Sequence, residues 1–311
     1  MPKSKEPTLD KLLGEGIVTK GDAVSLDYER IPFGIQALDD LIGGGIPKKR
    51  ISLLIGQPGS GKSYMASQIV KGVQARGEVA AWVDAEWSWD AAWMRRCGVK
   101  VADVLVSQPE SGEQAFDVIR ILMQNKVGVV VLDSVAGLFP AQFNDEDFSH
   151  NPMAWQARMV NQAFPRLVPH LAEGSALVLI NQTRASIGPV SMPEIPGGKA
   201  QTFFSHLTLE IRRGEWISEE DIHVGFNIEI RNRKTKVGGK HYQSCIIPFM
   251  VSGGIDYLEI DIRDFIAKDL IKQRGAWFSV EGVEKKLAGQ NGVKKYFIEH
   301  PEEVERLKNV A

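Results

Sequence analysis

Gly56-Gln57-Pro58-Gly59-Ser60-Gly61-Lys62-Ser63 fits the pattern G-x-x-x-x-G-K-[ST] at every constrained position. Its flanks come in the order the pattern requires. Ile51-Ser52-Leu53-Leu54-Ile55 is an apolar run of strand length, and Tyr64 to Arg76 has the character of a helix. Strand, glycine-rich loop and helix together predict a phosphate cradle. The glycines let backbone N–H groups turn toward phosphate oxygens at the positive end of the helix. Lys62 reaches the terminal phosphates, and the Ser63 hydroxyl can ligate Mg²⁺. A glycine-rich turn that binds nothing is the competing reading, and the full strand–loop–helix context argues against it.

Beyond the loop, apolar strands and amphipathic helices alternate. Strands are expected at 79–84, 104–107 and 127–133, and helices at 90–97 and 112–125. That alternation indicates an α/β fold with a mostly parallel sheet covered on both faces. A helix is expected from Met153, kinked or broken at Pro165 and Pro169, followed by a strand from Ala176 to Ile180. The loop from Thr183 to Pro196, with Gly188, Pro189 and Pro193, is long for a connection without structure of its own, which points to function or disorder. Strands at 207–212 and 226–231 and a hairpin ending near Pro248 come next. From Ile255, one helix, the strand Trp277–Val280 and two more helical pieces suggest a small α+β unit. Before Ile31, Thr8–Leu13 suits two helical turns and Gly16–Thr19 a short strand.

At 311 residues with 43% hydrophobic content, the chain can bury a large core. Lys+Arg 37 against Asp+Glu 39 leaves a net charge of -2, so any contact with nucleic acid must come from local clusters. Cys97 and Cys245 have no metal-ligand spacing, which suits a reducing cytoplasmic compartment. No run approaches the roughly 18 apolar residues of a membrane span, and no apolar signal core opens the chain. The expectation is a soluble protein that is not exported.

Asp133 closes an apolar strand before Ser134, the place where such folds put a carboxylate to hold the Mg²⁺ water shell. A strand-terminal Asp alone could equally cap a turn, but together with the phosphate loop the assignment becomes specific. Glu86 lies just past the strand that follows the phosphate-loop helix, where it can orient and deprotonate an attacking water. It can also be an ordinary solvated loop acid. Trp87, Trp89 and Trp93 offer flat surfaces for a base, although aromatics at helical spacing more often belong to a core.

These residues, with Ile31-Pro32-Phe33-Gly34-Ile35-Gln36-Ala37-Leu38-Asp39, Gly43-Gly44-Gly45-Ile46-Pro47, Asp84-Ala85-Glu86, Leu105-Val106-Ser107-Gln108-Pro109, Gly112-Glu113-Gln114-Ala115, Val130–Ser134, Ile180-Asn181-Gln182 and Gly275-Ala276-Trp277, resemble the bacterial RecA recombinase family. The resemblance is co-linear from about residue 14 to about residue 301 and is more specific than any one motif. It implies a RecA-like ATPase core over 31–254 with two DNA-binding loops, an N-terminal oligomerisation arm over 1–30 and a small C-terminal domain over 255–311.

By that resemblance, residues 56–63 with Asp133 bind Mg-ATP, Glu86 is the catalytic glutamate, Asp90 contacts adenine, and Trp93 stands where the family stacks a tyrosine on the base. Gln182 is the implied sensor of the γ-phosphate, passing its state into the next loop. Arg184, Ile187, Gly197 and Gly198 match DNA contacts of the second loop, and Arg158 matches another after a first loop between about Phe143 and Met153. Lys234 and Lys236 match lysines that reach a neighbour's ATP in trans. Taken bare, Arg158 and Arg184 are equally surface ion-pairing residues, and the lysines a solvated basic strand edge.

Departures accompany the matches. The segment before Ile31 is shorter than the family's arm, Pro165 replaces a second DNA-contacting arginine beside Arg166, and the second loop is richer in proline. The last residues carry no acidic tail, so restraint of duplex binding by such a tail is not expected. A compact, phage-like or divergent recombinase fits these differences. The expected function is an ATP-dependent recombinase that forms filaments on single-stranded DNA and pairs it with duplex. A hexameric helicase or ring-forming regulatory ATPase, and an ATP-gated scaffold without turnover, are the alternatives.

Overall fold

The computed structural model of the protein describes residues 8–15, 17–20, 29–143, 153–183, 195–219 and 221–310. The first element is α1 (Leu9–Gly14). No strand forms over 17–20, contrary to expectation. The N–H groups of Ile17 and Val18 both donate to the Leu12 carbonyl, at 2.9 and 3.1 Å, so they close the helix end and not a ladder. β1 (Arg30–Ile31), α2 (Gln36–Ile42) and β2 (Ile46–Pro47) form a small lead-in in which the two strands pair antiparallel.

The expected alternation follows: β3 (Ile51–Gly56), α3 (Lys62–Ala75), β4 (Ala80–Asp84), α4 (Ala91–Arg96), β5 (Val104–Ser107), α5 (Gly112–Gln124), β6 (Val129–Asp133), α6 (Met153–Leu171) and β7 (Ala176–Gln182). Next come α7 (Ala200–Phe204), β8 (Leu207–Glu219), β9 (Ile222–Thr235), β10 (Ser244–Met250) and β11 (Gly254–Ile255). The nine strands lie in the order β11-β10-β9-β8-β3-β7-β6-β4-β5. From β8 to β5 they run parallel, and β9, β10 and β11 are added antiparallel. This is the mostly parallel α/β sheet that the alternation implied.

Burial on both faces explains why β3 is apolar apart from Ser52 and its terminal glycine. Ile51, Leu53 and Ile55 pack with Phe116, Ile119 and Phe164 of α5 and α6, while Leu54 packs on the other face with Met65 and Ile69 of α3. Beyond β11, α8 (Tyr257–Ala267), β12 (Ile271–Arg274), β13 (Trp277–Val280), β14 (Leu287–Ala288), α9 (Gly289–Glu299) and α10 (Pro301–Val310) enclose a separate cluster of Ile262, Phe265, Phe278, Val293, Phe297 and Leu307. β8 and β9 extend well past the expected strands because Trp216 stacks on His223 with ring centroids 4.7 Å apart and meets Phe226 edge-on.

The break expected at Pro165 and Pro169 does not occur, since α6 runs continuously through both. Val160, Phe164, Leu167 and Leu171 are buried along one face. Asn161, Pro165 and Pro169 sit on the exposed side, where a carbonyl deprived of its helical donor can bond to water. Burial of one face outweighs a local cost that falls on the other. Pro165→Ala should therefore stabilise the protein by about 1–3 kcal/mol, read as a higher urea midpoint with an unchanged slope.

Candidate nucleotide and nucleic-acid site

The parallel strands end at one level, and that level builds the site. Gly56 is in register with Gln182 across β3 and β7, and Asp84 with Asp133 across β4 and β6. The loop after β3 carries Gly59 at φ 69° and Gly61 at φ 98°, left-handed conformations that favour glycine. Gly61 is the N-cap of α3 and supplies no side-chain cap, so the first N–H groups of a 14-residue helix remain available to an anion.

Lys62 is buried, and its Nζ donates to the Gln57 carbonyl of the same loop at 2.8 Å. Burial lowers its pKa, opposed by Asp133 and Glu86. Ser63 Oγ donates to Asp133 Oδ2 at 2.8 Å. Burial pushes the Asp133 carboxyl up to about 6, against the Ser63 hydrogen bond. This donor set, with the buried Ser60 hydroxyl unpaired at the loop, fits phosphate oxygens and a divalent cation.

Glu86 is held over the same strand ends. Its Oε1 accepts from Ser134 Oγ and, at 3.2 Å, from Gln182 Nε2. Gly137 makes this approach possible, because a Cβ there would lie 2.8 Å from the Ala85 carbonyl oxygen and 3.1 Å from Glu86 Cγ. Sequence reasoning assigned no role to Asp84. Fully buried, it accepts from the backbone N–H groups of Ser88 and Trp89 and from Gln108 Nε2 at 2.9–3.1 Å. It thus fixes the turn that presents Glu86, and its place at a strand end beside Asp133 was the available signal.

The three tryptophans have different surroundings. Trp89 meets Trp82 at 5.8 Å and belongs to the core, Trp87 is exposed with its indole N–H on the Pro109 carbonyl, and half-buried Trp93 faces the Tyr64 ring at 6.4 Å. Asp90 caps α4, its Oδ1 accepting from Ala92 and Trp93 N–H groups at 2.8 and 3.0 Å. The Trp93 hydrogen bond leads in holding its pKa below the usual value.

Arg184 and Ile187 lie outside the described residues, as do 144–152 of the first loop. The far end of the second loop is described. Asn181 Nδ2 donates to the Pro196 carbonyl at 2.8 Å and to Gln201 Oε1 at 2.7 Å, and Gln201 Nε2 donates to the Pro196 and Gly198 carbonyls. Gly197 and Gly198 have φ of 82° and 78°. A Cβ on the first would meet Val135 at 3.0 Å and on the second Ala157 at 3.2 Å, so this pair seats the loop end against α6. Gln156 on α6 in turn donates to the carbonyls of Val135, Ala136 and Leu138, just past Asp133. Neither Gln156 nor Gln201 had a sequence signal, since each joins segments far apart in the chain. Arg158 is exposed, its guanidinium 5.1 Å over the Trp155 ring.

Lys234 and Lys236 lie toward the opposite end of the sheet. Lys234 pairs with Thr208, and the Lys236 N–H donates to the His206 carbonyl beside Ile51, where β3 begins. Their ammonium groups donate to the last carbonyls of α7, Lys234 to Thr202 and Phe203 and Lys236 to Phe203. Burial first and then Lys236 lower the Lys234 pKa to about 8.

A phosphate loop between a strand and a helix, facing a strand-terminal carboxylate in a parallel sheet, defines a nucleotide-binding protein with a RecA-like core. The family model described as RecA N-terminal domain matches residues 5–256. The protein named Protein RecA of Aquifex pyrophilus is 35% identical over 97% of this chain and 88% of its own length. Its namesake from Chloroflexus aggregans is 34% identical over 96% and 88%, and that from Mesoplasma florum 33% over 97% and 92%. The chain belongs to the RecA family.

One pH effect follows at the basic edge. Burial, then Arg50, Lys236 and Lys234, pull the His206 pKa from 6.5 down to about 4. The folded state therefore holds this proton less tightly than the unfolded chain. The stability it contributes is complete above pH 6.5 and is lost as pH falls toward 4, by roughly 1–2 kcal/mol after solvent screening. Urea midpoints should fall across that interval, and His206→Gln should flatten the fall.

Proposed function

We propose that the protein is an ATP-dependent recombinase that forms filaments on single-stranded DNA and carries out homologous pairing and strand exchange. Family membership supports the class. The observation that carries the reading is the Glu86–Gln182 hydrogen bond, which joins a carboxylate at the nucleotide site to the residue where the second loop begins. ATP is the proposed substrate and Mg²⁺ the cofactor. Residues 56–63 cradle the phosphates, with Lys62 at the terminal ones. Ser63 and Asp133 would hold Mg²⁺, which when bound neutralises phosphate charge and polarises the transferred group.

Among the described residues both hydrogen bonds to Glu86 fall on Oε1, and Oε2 is the oxygen proposed to orient a water and accept its proton. A terminal phosphate drawing on Gln182 would compete with Glu86 for the amide. That competition gives the loop two positions according to nucleotide state. Asp90 and Trp93 then serve the adenine, and Arg158, Arg184, Ile187, Gly197 and Gly198 the strand. We assign 1–30 to self-association, 31–254 to the ATPase core and 255–311 to a small C-terminal domain, placed in the cytoplasm. Among the described residues no helix is long and apolar enough to cross a membrane.

ATP hydrolysis should rise on addition of poly(dT). A rate indifferent to poly(dT), or translocation on a forked duplex, would overturn this reading. Glu86→Gln should cut turnover by about 10²-fold or more while ATP-dependent DNA binding persists. If Lys234 and Lys236 act on a neighbour's phosphates, specific activity should rise with protein concentration, and alanine at either position should abolish that rise without weakening nucleotide binding by the isolated chain.

A further inference from the structure

Trp87, the residue after Glu86, has φ 54°. A bulky side chain in the left-handed region is a local cost that its surroundings must override, and such outliers gather where geometry serves function. Two sets of hydrogen bonds do the overriding. Asp84 binds the turn to the end of its own strand, β4, by accepting from the N–H groups of Ser88 and Trp89. The second set binds the turn to the neighbouring strand. Gln108 Nε2 donates to Asp84 Oδ2 at 2.9 Å, and the Trp87 indole N–H donates to the Pro109 carbonyl at 3.3 Å. Gln108 and Pro109 stand directly after β5, so the turn that carries Glu86 is clasped between the ends of β4 and β5.

The β5 side of the clasp is itself held at both ends. β5 pairs with β4 in parallel register from Val104 to Ser107. Beyond Pro109, the start of α5 is closed by reciprocal caps, with Ser111 Oγ accepting from the Gln114 N–H at 3.2 Å and Gln114 Oε1 accepting from the Glu110 N–H at 2.7 Å. Gln108 and Pro109 therefore have little freedom of their own. Trp87 and Pro109 also wall a pocket of about 420 Å³ that Glu86, Gly137 and Phe139 line as well, which leaves room for water beside the carboxylate. Two strands, β7 and β6, separate this corner from β3 and the phosphate loop that follows it. A change in the clasp can thus move Glu86 while the phosphate cradle stays in place.

We propose that Gln108 is a positioning residue for ATP hydrolysis. It holds Asp84, and through Asp84 the turn that aims Glu86 at the attacking water, while Trp87 assists from the Pro109 carbonyl. The role is orientation, and a misplacement of about 1 Å in a reacting group can cost about 100-fold in rate. Because β5 is the outermost strand of the sheet, the clasp makes the sheet's edge part of the hydrolytic apparatus, and a disturbance there reaches Glu86 through the Gln108 amide. This rests on the hydrolytic role proposed above for Glu86.

The test is steady-state ATP hydrolysis by the full chain with saturating poly(dT), resolved into kcat and KM. Gln108 is exposed, so replacing it opens no cavity in the core. Gln108→Leu removes the donor and should lower kcat by about 10- to 100-fold with KM unchanged. Gln108→Lys returns a donor to Asp84 and should restore most of kcat. Gln108→Glu sets a carboxylate against Asp84 and should be at least as slow as Gln108→Leu. Binding of a fluorescent ATP analogue by Gln108→Leu and Gln108→Lys should match the wild type, which checks the fold and separates orientation from affinity. If Gln108→Leu keeps the wild-type kcat, weakens analogue binding as much as it slows turnover, or is not rescued by Gln108→Lys, the positioning role fails. Loss of turnover in Glu86→Gln beside an unaffected Gln108→Leu overturns the positioning role alone. If Glu86→Gln itself keeps its turnover, or the wild type hydrolyses no ATP, the role of Glu86 and this proposal fail together.

Discussion

The common level at which the parallel strands stop is the constraint on which the rest depends. β3 ends at Gly56 and β7 at Gln182 in mutual register, and β4 and β6 end at Asp84 and Asp133 in the same way. Each apolar run stops where its polar end begins, so a slip in any of these pairings would pull a strand-end carboxylate or amide into the core or push an apolar residue out of it. The Ser63–Asp133 hydrogen bond then pins the first turn of α3 across the strand ends. Asp133 is held in a place that disfavours its charge, as its raised pKa records. A divalent cation, as proposed, would offset the burial that disfavours this charge.

From that level, amide side chains extend the site outward. Gln182 reaches Glu86, Asn181 and Gln201 close the far end of the second loop onto Pro196, and Gln156 fastens α6 to the residues past Asp133. Each carries both a donor and an acceptor and holds no charge, so each can exchange partners without burying an ion. Such joints suit a device whose two ends must sense each other while the sheet between them stays rigid.

Legibility in the sequence tracked the distance between interacting residues. The strand–loop–helix geometry of the phosphate-loop pattern was readable because it is local, in one strand, one turn and one helix. The placement of Asp133 and Glu86 at strand ends was readable because strand ends announce themselves by the change from apolar to polar. Asp84 carries the same mark but was given no role, because its partners Ser88, Trp89 and Gln108 become a turn only in the folded chain. Gln156 and Gln201 had no local signature. Pro165 misled for the converse reason. Its local cost was legible, while the buried face of Val160, Phe164, Leu167 and Leu171 that overrides it is a property of the sheet beneath.

The basic edge presents a geometric puzzle that the proposed assembly would resolve. Lys236 lies at the level of Ile51, and the phosphate loop begins after Gly56, roughly 17 Å further along β3. Within one chain the lysines face away from the phosphates they are proposed to serve. There they neutralise the carboxyl end of α7, whose other end adjoins the closed end of the second loop. Each ammonium carries three N–H donors, so a lysine resting on the Phe203 carbonyl still has donors to offer a neighbour's phosphate. In the proposed filament, engaging the next subunit's nucleotide would draw on the same ammonium groups that cap α7, next to the anchor of the DNA-binding loop. Nucleotide state, subunit contact and grip on the strand would then be coupled through one short helix, with the rigid sheet serving only to keep its two ends apart.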